Sequence, residues 1–336
     1  MVRFPAYSLD ELGLGWPKRP HPAFVLGGAV KPYVYIGKYE AYRVGSGTTA
    51  RALSLRGLDP TTSITFDDAS AACRQKGTGW HLMTNAEWAA VALWCWAKGY
   101  MPRGNSNYSQ SSDAPAERGA PACIYSNLSA RVATGSGPMA WSHDGSPYGI
   151  WDLNGNVWEW VAGYRLVAGE IQIIKDNDAA AADLSAASTA WQAILQDGSL
   201  VAPGTADTLK WDSALPQDDD GVVDVAGKPQ LNTTLANPAP ATWGDTTYQD
   251  YNYSTFDSPL VATGVAVPDI LKQLAIYPHA ASLAGDGFWS RNYGERVALR
   301  GGDWNVGSSA GVFALGLYVP RSYVNVYIGF RPAFVA

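Results

Sequence analysis

Apolar residues alternate with small or polar residues along two stretches near the C-terminal end of this chain. The apolar positions are Phe313, Leu315 and Leu317 in residues 311–319, and Val324, Val326 and Ile328 in residues 322–330. Because successive side chains of a strand point to opposite faces of a sheet, this alternation predicts two strands with one apolar face in the core. The opposite face is predicted to be exposed and to carry Gly316, Tyr318, Tyr323, Asn325 and Tyr327.

The same alternation places Trp304 inward and its neighbours Asp303 and Asn305 outward. Val306, Ser309 and Val319 lie at predicted turns or strand ends, and we expect them to join the same surface. The composition of this surface suits binding, because Tyr offers rigid contact area at low entropic cost while Asn, Ser and Gly adapt to polar partners. The alternative is an ordinary half-exposed sheet with some surface tyrosines.

Two helices are indicated by their capping residues. Thr65 is a suitable N-cap for residues 65–77, with Asp67 and Asp68 at the positive end of the helix dipole. In residues 84–99, Thr84 and Glu87 form a capping box and Gly99 is a natural stop.

The remaining segments differ in composition. Residues 1–22 are rich in Pro and Gly and are predicted to run as a surface arm, residues 23–45 to form two strands, and residues 100–150 to form loops. Residues 165–285 contain an Ala/Asp tract and an acidic run at 217–224, and they are predicted to be an insertion that is partly helical near 178–197.

Composition excludes several classes of protein. Hydrophobic residues make up 47% of the chain and Trp occurs 14 times, which is ample for a buried core. The net charge of −6 gives no basic groove for nucleic acid. No apolar run is long enough for a membrane span, and the N-terminus shows no signal peptide.

Cysteine and histidine give no metal-binding spacing. The 3 Cys and 4 His are scattered without zinc motifs, which argues against a His-based metal centre. The acidic run fails as an EF-hand, because placing Gly221 at the sixth position puts Pro216 and Gly227 at ligand positions. We therefore interpret it as a solvated loop.

Several stretches in this order resemble the formylglycine-generating-enzyme (sulfatase-modifying factor) branch of the C-type lectin fold. They are VYIGKYEA, CRQKGTGWHLMTNAEWAAVA, GIWDLNGNVWEWV, RVALRGGDW and GFRPAF. The resemblance implies an α+β, C-type lectin fold with a long insertion. Residues 1–164 would be the N-terminal part of the domain, 165–285 the insertion, and 286–336 the C-terminal part.

The oxidases of this branch use a cysteine pair in the C-terminal segment, and its sulfoxide synthases use a histidine cluster. Residues 299–336 contain no Cys, and the four His cannot supply the cluster. The resemblance therefore implies a protein that is not an enzyme. The alternative is a formylglycine-generating-enzyme-like or sulfoxide-synthase-like metalloenzyme.

No cofactor is expected beyond a structural calcium ion. The positions that match the oxidases' calcium site are Asp152, Gly155, Val157 and Glu159. The alternative is that Glu159 makes an internal salt bridge or accepts hydrogen bonds from backbone N–H groups. Arg300 and Arg331, which frame the C-terminal segment, are expected to pair with buried carboxylates such as Glu87 or Glu159.

The tail RGGxWxxGxxAGVFALxLxxxRSxxxxxxGFRP resembles the variable region of proteins diversified by retroelements. In such systems a reverse transcriptase scrambles template adenines, so AAY codons change to codons that never encode Lys, Glu, Gln, Met or Trp. Residues 305–336 contain none of these five residue types. The resemblance implies a hypervariable C-terminal ligand-binding segment, with a variable region at 300–331.

This resemblance implies a receptor-binding protein for viral or cell-surface attachment. Its partner would be a protein or glycan on a target surface, bound by several copies in a multimer. It would be associated with a virion or a cell surface. The alternative is a structural virion protein with a fixed partner.

Overall fold

A computed structural model describes residues 1–336 and shows a mostly sheet-built chain with three α-helices. The helices are α1 (Phe66–Arg74), α2 (Asn85–Ala97) and α3 (Asp269–Gln273). The strands in chain order are β1 (Val2–Pro5), β2 (Val25–Leu26), β3 (Ala29–Val30), β4 (Tyr33–Ile36), β5 (Ala41–Val44), β6 (Arg51–Ser54), β7 (Trp80–Leu82), β8 (Ile124–Tyr125), β9 (Leu128–Ser129), β10 (Trp158–Val167), β11 (Glu170–Ile174), β12 (Trp191–Ile194), β13 (Leu200–Val201), β14 (Lys210–Ser213), β15 (Val225–Gly227), β16 (Pro229–Asn232), β17 (Tyr251–Thr255), β18 (Leu260–Val261), β19 (Gly287–Ser290), β20 (Glu295–Gly301), β21 (Gly311–Leu317), β22 (Ile328–Phe330) and β23 (Pro332–Phe334).

A 13-stranded sheet forms the body of the fold. Its main path runs β15-β17-β19-β21-β20-β10-β11-β14-β16-β18, and β12, β13 and β22 pair beside that path. A second sheet has the order β1-β4-β23-β7, so the last strand of the chain lies between strands from the first hundred residues. This pairing ties the C-terminal segment to the N-terminal part of the fold.

Both predicted helices are confirmed, together with their caps. The Thr65 hydroxyl accepts a hydrogen bond from the Asp68 N–H at 3.1 Å, and Thr84 and Glu87 form the reciprocal capping box. Gly99 follows α2 with a φ of +65°, the left-handed conformation that ends many helices. None of the three helices has the length and apolar character needed to cross a membrane.

Helix α2 lies in the main core and reaches the C-terminal segment. All but a few of its residues are buried, and the indole N–H of Trp88 donates to the Val312 carbonyl at 2.7 Å. Because Val312 belongs to β21, this hydrogen bond fixes the strand against the helix. The strand that carries the C-terminal segment is therefore held by the core of the protein.

The predicted surface arm at residues 1–22 is wrong. Its residues Phe4, Leu9, Leu12 and Trp16 are buried in the main core, and β1 pairs with β4. Pro and Gly predicted an irregular backbone, but irregular backbone packs against a core when it carries large apolar side chains.

The predicted helix at residues 178–197 is also wrong. These residues form a short 3-10 turn at Asp178–Ala180 and then strand β12. The Asp183 carboxylate accepts hydrogen bonds from the backbone N–H and the hydroxyl of Ser185, at 2.9 and 2.7 Å. Such local bonds from Asp and Ser compete with the helical backbone pattern.

Strands β11–β18, all within residues 165–285, join the same sheet as the framework strands. Strand β10 runs across residue 165, where the predicted insertion begins. The segment therefore extends the large sheet and supplies part of its core.

Candidate ligand-binding site

The C-terminal segment carries its predicted surface on two loops and one strand. The first loop, residues 302–310, joins β20 to β21, and the second, residues 318–327, joins β21 to β22. Strand β21 itself lies between β19 and β20. The two loops flank opposite ends of β21, and residues of both line one cavity.

The predicted strand at 322–330 is wrong over most of its length, since only Ile328–Phe330 is a strand. The Tyr323 N–H donates to the Pro320 carbonyl and the Ile328 N–H to the Asn325 carbonyl, both at 3.1 Å, so the backbone turns twice. Val324, predicted to face the core, is 47% exposed. Alternation therefore does not separate core from surface here.

A cavity of about 310 Å³ lies beside the two loops. Five residues of the predicted surface line it: Asp303, Asn305, Val306, Tyr318 and Tyr327. The rest of the lining comes from distant parts of the chain: Trp158, Val223, Tyr251, Trp289 and Arg291. This volume falls at the small end of the range for ligand pockets.

Aromatic rings form the walls of this cavity. The Trp158 ring stands edge-on to Trp289, with ring centroids 5.4 Å apart, and edge-on to Tyr318 at 6.3 Å. Trp158 begins β10 and Trp289 lies in β19, so both rings are mounted on strands of the large sheet. Edge-to-face packing of this kind holds rings in defined orientations.

Beside the cavity, the remaining polar residues of the predicted surface are linked by hydrogen bonds. The hydroxyls of Tyr323 and Tyr327 are 3.1 Å apart, and the Asn325 amide donates to the Tyr323 hydroxyl at 3.0 Å. The Ser309 hydroxyl lies 3.0 Å from that of Tyr253 in β17. The two loops thus form one continuous surface with the 165–285 segment.

Asp303 is the only carboxyl group that lines the cavity, and its side chain is almost fully buried. Burial raises its pKa to about 7, while hydrogen bonds from the Asn305 backbone N–H at 2.8 Å and from the Trp158 side chain act in the opposite direction. No Lys, Arg or His forms a salt bridge with it. The carboxyl group is therefore held at the cavity by neutral donors.

The predicted exposure of Asp303, Gly316 and Val319 is wrong. Asp303 is 3% exposed and Val319 is 1% exposed, while Gly316 is buried in β21. Strand β21 is covered on both faces, and the Val319 carbonyl accepts a hydrogen bond from the Val297 N–H of β20 at 3.1 Å. Asp303 still lines the cavity, whereas Val319 packs in the core.

The framing arginines are buried and hold the framework. Arg331 donates to both carboxylate oxygens of Glu159, at 3.0 and 2.6 Å, as expected. Arg300 donates instead to the Asn85 side-chain oxygen and to the Ala275 carbonyl, each at 2.7 Å at its closest. The expected pairing of Arg300 with Glu87 is wrong, because Glu87 is taken by His81 and by the Thr84 N–H in the helix cap.

The residues proposed for calcium do not fit that ion. Both Glu159 oxygens are held by Arg331, so a guanidinium supplies the positive charge where the ion would lie. Gly155 and Val157 could offer only their backbone carbonyls to an ion, since their N–H groups donate to the Gly301 carbonyl and to Glu40. One Asp152 oxygen accepts from the Gly135 N–H and the other has no partner.

Three buried carboxyls surround Arg331 in this cluster. Burial raises the pKa of Glu40, of Glu159 and of Asp152, the last to about 6, and Arg331 lowers all three. Across the chain, no group of three or more His, Cys, Asp or Glu side chains is placed to hold a metal ion. We derive no calcium-dependent step from this cluster.

The cavity residues outside the C-terminal segment were not predicted from the sequence. Val223 and Tyr251 come from the 165–285 segment, and Trp289 and Arg291 come from β19 and the turn after it. Only Trp158 stood in a recognised motif, GNVWEW. The acidic run at 217–224 also lies at this site, since its Val223 lines the cavity.

Residues 33–189 match the sulfatase-modifying factor enzyme 1-like domain family. No curated protein matches the chain. The matched residues contain the Asn85–Trp88 and Gly155–Trp160 motifs and end before the C-terminal segment that lines the cavity. The mostly sheet architecture with few helices is consistent with this match. Over residues 33–189 the chain is therefore similar to the sulfatase-modifying factor family, which supports a formylglycine-generating-enzyme-like C-type lectin fold.

Proposed function

We propose that this chain is a non-enzymatic ligand-binding protein whose C-terminal surface is diversified by adenine-directed retroelement mutagenesis. One observation carries the proposal: five residues of the predicted variable surface line a single aromatic-walled cavity. A cavity with apolar walls and a few polar groups is the usual form of a ligand site. The ligand would be a protein or glycan on a target surface.

The division between fixed and variable positions supports this proposal. Arg300 and Arg331 are buried and hydrogen-bonded within the framework, so substitution there would leave buried groups without partners. Asn305, Val306 and Ser309 lie on a loop and are at least partly exposed. Substitutions at such positions usually change stability little, which is what a diversified surface requires.

The 165–285 segment supports the proposal in a second way. Its Tyr253 hydroxyl contacts Ser309, and the Tyr248 ring lies 5.4 Å from that of Tyr323. The segment therefore packs against the loops and, through Val223 and Tyr251, supplies cavity lining that lies outside the variable positions. We place the protein on a virion or a cell surface, where several copies would add avidity to weak single contacts.

The binding role is tested with a triple variant, Tyr318→Ala, Tyr323→Ala and Tyr327→Ala. Wild type and variant are applied to a glycan array and to immobilised surface proteins of candidate target cells. We expect the wild type to bind a subset of these targets and the variant to lose that binding. Full binding by the triple variant would rule out this surface as the site.

The matched control replaces two exposed tyrosines outside the surface, Tyr42 and Tyr148, which are 40% and 80% exposed. This double Ala variant should bind as the wild type does. Metal analysis of the same preparations addresses the enzymatic alternative. Copper or iron in stoichiometric amount would favour a metalloenzyme over a binding protein.

A further inference from the structure

The cavity combines a buried carboxyl group with aromatic walls, and this combination favours a positively charged ligand. Asp303 lies almost fully buried at the cavity, and the hydrogen bonds it accepts come from neutral groups. A carboxylate taken out of water without a positive partner is unfavourable. A cation in the cavity would remove this cost by pairing with Asp303.

The walls would stabilise the same charge. The Trp158 ring packs edge to face with Trp289 and with Tyr318, at centroid distances of 5.4 and 6.3 Å, and Tyr327 and Tyr251 complete the aromatic part of the lining. The faces of aromatic rings carry negative electrostatic potential and attract ammonium groups, especially when the site excludes water. A neutral apolar ligand would gain contact with the rings but nothing from the carboxylate.

Arg291 is the one cationic side chain in the lining, and it is already engaged. Its guanidinium donates to the Tyr318 carbonyl at 2.6 Å and to the Gln249 carbonyl at 2.7 Å. It makes no salt bridge with Asp303. Arg291 therefore shapes the wall and leaves the carboxylate without a salt bridge, although the neutral carbonyls do not cancel the charge of the guanidinium.

The acidic run adds negative charge on the residues that flank Val223 of the lining. Asp218, Asp219 and Asp220 are exposed and precede Val223, which lines the cavity. Asp224 follows it, and its carbonyl accepts a hydrogen bond from the Tyr251 N–H at 3.0 Å. Clustered charge of one sign beside a cleft raises the local concentration of ligands of the opposite sign.

We propose that this cavity binds an alkylammonium group, which pairs with Asp303 and is enclosed by Trp158, Trp289, Tyr318 and Tyr327. The proposal rests on the binding role proposed above and names the ligand chemistry of the same site. A lysine side chain of a partner protein carries this group. A free amine carries it as well, and the experiment separates the two sources.

The test compares Nα-acetyl-lysine amide with Nα-acetyl-norleucine amide, which has the same four side-chain carbons and lacks the ammonium group. Binding is measured by calorimetry or ligand-observed NMR at pH 8. We expect the lysine compound to bind at least about tenfold more tightly, a modest preference for a desolvated cation among aromatic rings. The Asp303→Asn variant should reduce this preference to within about twofold, while Asp10→Asn, at an exposed site elsewhere, should leave it unchanged.

Equal binding of the lysine and norleucine compounds, or no binding of the lysine compound, the norleucine compound or n-butylammonium, would overturn the ammonium proposal. Equal binding would leave the binding surface itself in place, because that role is decided by the tyrosine variants. n-Butylammonium separates the ligand sources, and binding of either this amine or the lysine compound supports the proposal. Similar affinities would indicate recognition of the amine alone, and tighter binding of the lysine compound would indicate a peptide partner.

The preference should also depend on pH. Asp303, whose pKa is about 7, is the carboxyl group in the lining that gains a proton as the pH falls from 8 to 5. The charged and titratable side chains beside Asp303 in the lining are Arg291, Tyr318 and Tyr327, and burial raises the pKa of both tyrosines. We expect the preference for the lysine compound to decline over this range in the wild type and to stay flat in Asp303→Asn. A flat profile in the wild type would contradict a role for the carboxylate.

Discussion

The ring of Tyr318 lies over Gly316, so that a Cβ atom added at position 316 would stand 2.7 Å from Tyr318 Cε1. Contacts that short are not tolerated between carbon atoms, and one of the two groups must move. Tyr318 forms part of the cavity wall. The size of residue 316 therefore determines where the wall residue 318 can lie, although the two positions were predicted as separate parts of the surface.

Replacing Gly316 with Ala should push the Tyr318 ring toward the cavity. We expect a loss of about 1–3 kcal/mol in the free energy of unfolding, typical of overpacking. In a Tyr318→Ala background the same change should cost much less, because the clashing ring is gone. A double-mutant cycle of urea unfolding measures this coupling, and additive effects of the two substitutions would show that the ring and residue 316 do not interact.

The Arg331–Glu159 ion pair should be among the most sensitive points of the framework. Arg331→Met leaves the buried carboxyls of Glu159, Glu40 and Asp152 without their shared cation. Breaking a buried pair in this way costs about 3–5 kcal/mol. Urea unfolding measures the loss.

The matched control for that pair is the exposed pair between Lys272 and Asp269, whose charged atoms are 3.6 Å apart on α3. Lys272→Met should change the unfolding free energy by less than about 1 kcal/mol, because solvent screens exposed pairs. If both substitutions lowered the free energy of unfolding by the same small amount, the Arg331–Glu159 pair would not be stabilising the framework.

Asp303→Asn should stabilise the protein at alkaline pH. The pKa of Asp303 rises from 3.8 in the unfolded chain to about 7 in the fold, so the folded state binds more protons between these values. The contribution of this group to stability therefore falls as the pH rises from 4 to 7. We expect the free energy of unfolding of the variant to exceed that of the wild type by about 2 kcal/mol at pH 8. This is below the limit of about 4 kcal/mol that corresponds to the difference between the folded and unfolded pKa of Asp303.

The stability difference should become small as the pH falls to 4, because the folded Asp303 side chain is then neutral and the unfolded one is partly protonated. Denaturant unfolding of both proteins at pH 8, 6 and 4 measures it, and other titrating groups cancel in the comparison. A variant that is less stable than the wild type at pH 8 would contradict the burial of an unpaired carboxylate. Retention of a destabilising group at a binding site is a common trade-off between stability and function.

Local signals predicted the helices well and the C-terminal loops only in part. The caps at Thr65 and Thr84 act within three residues, so the sequence alone reveals them. Residues 322–330 alternate like a strand, yet Val324 is exposed and Val326 is half-buried in a loop. Alternating apolar residues mark the two faces of a strand only where the backbone is paired in a sheet. In this segment the pairing begins at Ile328.

The whole cavity could not be predicted because half of its lining residues come from distant parts of the chain. Trp289 reaches the site through parallel pairing of β19 with β21, in which it lies opposite Gly316. Val223 arrives on the acidic loop of the 165–285 segment. No spacing in the sequence indicates that these residues meet Asp303 and Tyr318. The predicted surface identified one side of the site and missed the other.

The measurement that tests the central claim most directly is the sequence of codons 300–331 in many independent copies of the gene. Diversification of this surface predicts adenine-templated changes at 303, 305, 306, 309, 318, 323, 325 and 327, with Arg300 and Arg331 unchanged. The same survey should find a reverse transcriptase gene and a near-copy of the segment beside this gene. A uniform segment in all copies, with neither feature nearby, would contradict the account and indicate a fixed partner.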